Sequence, residues 1–152
     1  MPKLDIAAIP EVCATKYPAE FAALVAGRFR KRIGDAGGLT QFGVNICRLE
    51  PGSASSQRHW HTEEDELVYM LKGEAVLIED GGETVLRPGD VATFKAGVRN
   101  GHHIVNRSDR DAVLLEIGTR RADDSGEYPD LDMTVVKENG VSRYMHKDGT
   151  PY

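Results

Sequence analysis

The residues best able to do chemistry are histidines: four of the five fall in two tight groups, His59 with His61 and His102 with His103. Successive side chains on a β-strand alternate faces, so His59 and His61 project to one side, near enough to share a metal ion. Gln57 would join them on that face. Glu66 follows, at the head of a segment whose alternate positions are Val68 and Met70. If those two fill an interior, Glu66 enters it too, and an unpaired carboxylate there is strongly disfavoured unless a cation offsets its lost hydration. His59, His61 and Glu66 together therefore predict a metal. The alternative is a solvated strand, with Glu66 closing the acidic run Glu63, Glu64, Asp65, Glu66.

Such side chains need strands to hold them. From Leu39 onward the pattern alternates, with Phe42, Val44 and Ile46 on one face of a strand that ends at Pro51-Gly52. Further strands are expected at 57–61, 66–71, 75–79, 84–87, 91–94, 102–106 and 112–117. Turn chemistry separates them at Lys72-Gly73, Asp80-Gly81-Gly82, Pro88-Gly89-Asp90 and Asn100-Gly101. No helix-length segment lies between these strands, which predicts an all-β sandwich or barrel. The single helix expected runs over 18–26, opened by Pro18 and closed by Gly27. Residues 120–132 read as a polar loop. Segments 133–137 and 141–144 flank Glu138-Asn139-Gly140 as a terminal hairpin that either closes the barrel or crosses to a second subunit. The whole is one domain: an extension over 1–38, a barrel over 39–118, and a loop and hairpin over 119–152.

Composition narrows the partners. The chain has 152 residues, Lys+Arg 19 against Asp+Glu 24, and a formal charge of -5, which argues against nucleic acid held on a broadly basic surface. The basic run Arg28, Arg30, Lys31, Arg32 reads as a solvated strand or loop face, with an anion or partner site as the alternative. Cys13 and Cys47 form neither a Cys-x-x-Cys pair nor a disulfide framework. Residues 1–10 lack the apolar core of a signal peptide, and no apolar run reaches 18 residues. A cytoplasmic protein with no membrane partner is expected.

Gly52, His59, His61, Glu66 and Gly73 together resemble the first signature of the cupin superfamily: a glycine, five residues, His-x-His, three or four residues, Glu, six residues, Gly. One extra residue precedes His59 here. Gly89-Asp90, Phe94, Ala96-Gly97, His102 and Asn106 resemble the second. Lys95 stands where the family has proline, and four residues, not two, separate Gly97 from His102. The likeness spans about half the chain, residues 39–117. It implies a jelly-roll barrel (double-stranded β-helix) in which His59, His61, Glu66 and His102 are metal ligands and Asn106 is structural. Strand alternation lets only one of His102 and His103 face inward, and the spacing to Asn106 favours His102. Gly101-His102-His103, Asn106-Arg107-Ser108 and the closing Asp148-Gly149-Thr150-Pro151 are similar to small single-domain bacterial cupins, some labelled sugar-phosphate-isomerase-like.

Three imidazoles and a carboxylate suit one divalent transition metal, Mn, Fe, Co, Ni, Zn or Cu, and leave a position open for substrate. That implies a metal-dependent enzyme of isomerase or dioxygenase type acting on a small polar or anionic metabolite, or else a non-catalytic small-molecule-binding cupin. Candidate catalytic side chains are Glu116, sharing a strand face with Ala112 and Leu114, Gln57, and Arg99, which could clamp an anion. Opposite the metal face, Leu67, Tyr69 and Leu71 make an apolar stripe that needs a cover. A homodimer, the short helix or the terminal hairpin could supply it.

Overall fold

Alternation along three neighbouring strands decides what lies inside. In the computed structural model, which describes residues 3–152, β2 (Phe42–Leu49) is antiparallel to β9 (Ala112–Thr119), and β9 to β4 (Glu66–Lys72). Leu49 stands opposite Ala112, Cys47 opposite Leu114 and Asn45 opposite Glu116, while Met70, Val68 and Glu66 meet Leu114, Glu116 and Gly118. Every inward row therefore runs from apolar to polar in the same direction. Cys47, Leu49, Met70, Ala112 and Leu114 are fully buried and, with Leu77 and Ile104, plug one end of the barrel. The polar ends line the other. Phe42, Val44 and Ile46 do share a face, and it is the outer one.

β1 (Arg28–Lys31) and β7 (Val91–Phe94) flank these three, giving the order β1-β2-β9-β4-β7. The facing layer contains β6 (Gly82–Leu86), β5 (Ala75–Glu79) and β8 (His103–Val105), and beside them β12 (Val141–Met145), β11 (Met133–Glu138), β10 (Asp124–Tyr128) and β3 (Trp60–His61). Reciprocal main-chain bonds join its two parts: His59 N–H donates to the His102 carbonyl at 3.2 Å, and His102 N–H to the His59 carbonyl at 2.9 Å. The result is a jelly roll. At the turn after β4, Gly73 adopts φ +77°, where a Cβ would lie 2.6 Å from the Asp111 carbonyl oxygen, so only glycine fits.

Four expectations need correction. The helix over 18–26 is instead two short 3-10 turns, Ala19–Phe21 and Ala23–Val25. Gln57 Nε2 donates to the Phe21 carbonyl, an acceptor that a continuous helix would give to Val25 N–H, and Ser53 Oγ donates to the Leu24 carbonyl. A four-residue helix, α1 (Ile33–Ala36), appears where none was expected. The strand over 57–61 shortens to β3 with His59 as an isolated bridge, and that over 102–106 to β8. The loop over 120–132 contains β10, whose Asp124, Gly126 and Tyr128 are buried in alternation. The terminal hairpin forms as β11 and β12, with Asn139 at φ 50° and Gly140 at φ 79° in its turn. It pairs with β10 of its own chain.

Candidate metal centre

His59, His61, Glu66 and His102 converge at the polar end of the barrel. Ligand atoms of His59, His61 and Glu66 all lie within 4.8 Å of one another. His59 Nε2 is 3.0 Å from His61 Nε2, His102 Nε2 is 2.9 Å from Glu66 Oε2, and His61 Nε2 is 3.8 Å from Glu66 Oε1.

The partners on the far side of each ring fix its chemistry. His59 Nδ1–H donates to the Gln57 carbonyl at 2.8 Å, His61 Nδ1–H to Asp124 Oδ2 at 2.6 Å, and His102 Nδ1–H to the Asn100 carbonyl at 3.3 Å. With Nδ1 bonded in this way, each ring can turn an Nε2 lone pair to a cation, and without one His102 Nε2–H donates to Glu66 Oε2. Three such nitrogens and a carboxylate make a donor set that fits a transition metal. Burial favours the neutral His59 ring, and neighbouring His61 and His102 reinforce it against Glu66, taking its pKa down to about 4. Burial also opposes a charged His61, but Asp124 and Glu66 outweigh it and raise the pKa. Glu66 is opposed by burial and held down to about 2 by the His102 bond and the surrounding imidazoles.

Packing holds the rings. Phe94 stacks on His102 at 3.5 Å between centroids, and Tyr128 on His59 at 5.4 Å. His103 turns away, its Nδ1 bonded to the Ser56 carbonyl. Asn106 is fully buried, donating to the Leu49 and Arg110 carbonyls and accepting from Ser108 N–H and Oγ–H.

The ligands border a cavity of about 550 Å³. Glu116 points into it but forms a bidentate ion pair with Arg30, at 2.7 and 2.8 Å. Gln57 does not reach the cavity, because its amide is spent on the Phe21 carbonyl. Arg99 is exposed and lies over the outer face of Trp60, 5.7 Å from the ring centroid. Of the three expected catalytic side chains, only Glu116 lines this space. Sequence reasoning missed Asp124, which no local motif announces. It also placed Arg28 in solvent, whereas that side chain is buried at 6% exposure against the cavity.

A family model for the cupin domain matches residues 45–118. A crystal structure from Silicibacter pomeroyi, described as a sugar phosphate isomerase from the cupin superfamily, is 46% identical over 99% of this chain and 96% of its own, with a TM-score of 0.96. The chain belongs to the cupin superfamily. A second structure, from Acidithiobacillus ferrooxidans and described only provisionally as a sugar phosphate isomerase, is 30% identical over 82% of this cupin and 80% of its own chain, TM-score 0.75. The polyketide cyclase RemF of Streptomyces resistomycificus shares 16% identity over 78% and 79% with a TM-score of 0.64, a likeness of fold alone. No curated protein matches this cupin.

Proposed function

We propose that this cupin is a metal-dependent enzyme, isomerase-like in its chemistry, acting on a small polar or anionic metabolite. The convergence of three imidazole nitrogens and the Glu66 carboxylate supports it most directly. The descriptions of the two relatives at 46% and 30% identity favour isomerisation over dioxygenation. His59, His61, Glu66 and His102 would hold one divalent transition ion, whose chemistry when bound is to polarise a carbonyl or enediolate oxygen. The protein's own contribution is to fix the imidazole tautomers through Gln57, Asp124 and Asn100, and to present a polar cavity wall. Binding without turnover is the second reading, favoured because Glu116 is committed to Arg30.

His61→Ala separates these readings. Metal content, measured by elemental analysis of protein purified without chelator, should fall from about one ion per chain to near zero. Product formation from sugar phosphates should vanish with it. Full activity in metal-free protein overturns the enzyme reading, and bound metal without any product supports the binding one. We also assign the protein to the cytoplasm as a homodimer, a reading supported by the two free cysteines and by the apolar stripe at Leu67, Tyr69 and Leu71.

A further inference from the structure

Among the described residues Arg28 is the one lysine or arginine that is buried, and no carboxylate lies within ion-pair distance of it. Its Nη1 donates to the Ser55 carbonyl at 2.8 Å and its Nη2 to the Ala14 carbonyl at 2.9 Å, both neutral acceptors. Arg30 Nη2 shares the same Ser55 oxygen at 3.1 Å, so two like charges meet at one carbonyl. Three of the carboxylates lining the cavity pair with other cations, Glu116 with Arg30, Glu64 with Lys137 and Asp35 with Arg120, while Asp124 and Glu66 face histidine rings. None of them pairs with Arg28, and burying a guanidinium without a direct counter-charge is costly.

The same wall has donors to spare. Arg30 lines the cavity, and its Nη1 makes no hydrogen bond and is not fully buried, so it has a donor to offer. Asn45, opposite Glu116 on the inward row, also lines this space. The distance to the metal centre is short. Ser55 precedes Ser56, whose Oγ lies 3.3 Å from His59 Nδ1. Glu116 pairs with Val68, two residues along the strand from Glu66, about 7 Å away.

We propose that Arg28 and Arg30 form an oxyanion seat in this cavity, taking the phosphate or carboxylate of a substrate whose other end reaches the His59, His61, Glu66 and His102 cluster. Guanidinium groups suit that task through paired, planar donors. This inference rests on reading the cavity as a substrate site and narrows the substrate to an anion with a short polar chain.

Calorimetric titration of the full-length protein with inorganic phosphate, and separately with acetate, tests it. Each is run as purified and again after chelation, so that anion held by metal is not counted. Saturable binding of at least one anion to chelated protein is expected. It should weaken at least tenfold in Arg28→Gln and in the paired change Arg30→Gln with Glu116→Gln, which leaves no carboxylate stranded, and persist in His61→Ala. Tighter phosphate binding marks a phosphate ester as the substrate, and tighter acetate binding marks a carboxylate. No saturable binding of either anion, or binding unchanged in both arginine variants, overturns the seat. A protein that takes anion but never metal keeps the seat and loses the enzyme reading, whereas metal uptake with no anion binding does the reverse.

Discussion

Asp124 accepts from His61 Nδ1 at 2.6 Å and is otherwise satisfied by Glu63 N–H and Thr62 Oγ–H, so it orients the ring and raises its basicity. Loss of such a partner weakens metal binding by roughly 10- to 100-fold. Asp124→Asn should do so with the fold intact, as read by competition with a chromogenic chelator. The sign of the pH dependence follows. His61 must lose its proton to bind an ion, and its raised pKa means that metal affinity falls as pH drops through a value above 6.5. His59, held to about 4, contributes to this competition only at lower pH. In Asp124→Asn the pH at which metal affinity begins to fall, read relative to its own high-pH plateau, should move lower. An unmoved inflection would show that another group governs uptake. At this scale the grouping of His59, His61 and Glu66 was legible in sequence, because they are close along the chain and alternation fixes their faces, whereas His102 came only from the likeness to the cupin signature. Asp124 was not, since its link to His61 spans 63 positions. Arg28 and Arg30 were misjudged for a related reason: a run of like charge suggests solvent, and the Glu116 that draws Arg30 inward lies 86 residues away.

Turn residues carry the next level. Gly73 ends β4 against the Asp111 backbone, with a Cβ position only 2.6 Å from its carbonyl oxygen. Gly73→Ala should therefore cost about 2 kcal/mol or more, from backbone strain and displacement of the β4–β9 edge, measurable as a lower urea midpoint. Asn106→Ala should be at least as damaging, because losing a buried amide with four hydrogen bonds takes this partner from the Leu49 carbonyl and the Ser108 N–H. Most strands were readable from period and punctuation. β10 was not: Asp-Ser-Gly-Glu has the composition of a turn, and it becomes a strand only because β3 and β11 offer ladders on both sides. The short helix failed for the opposite reason, since carbonyls of its turns are claimed by Ser53 and Gln57.

For the molecule as a whole, the outer face of the five-stranded sheet remains apolar. Tyr69 is 39% exposed and Leu71 42%. Neither the 3-10 turns nor the terminal hairpin covers them, for Phe21 and Tyr144 pack with Tyr128 and Met133 in a separate cluster. Tyr69→Glu should convert a dimer to monomer in light scattering while leaving metal content unchanged. A wild-type protein that is monomeric at high concentration would remove the need for a partner on that face. The bridge between His59 and His102 has a broader consequence. Because reciprocal main-chain bonds pin both histidines, the position of His102 does not depend on how many residues lead to it from Gly97. The two additional residues before His102 are absorbed in the segment that includes Val98 and Asn100, which roofs a smaller hollow of about 230 Å³ touching His61, Glu66 and His102. That roof can lengthen or shorten and reshape what the hollow admits, while the His59–His102 bridge stays where it is.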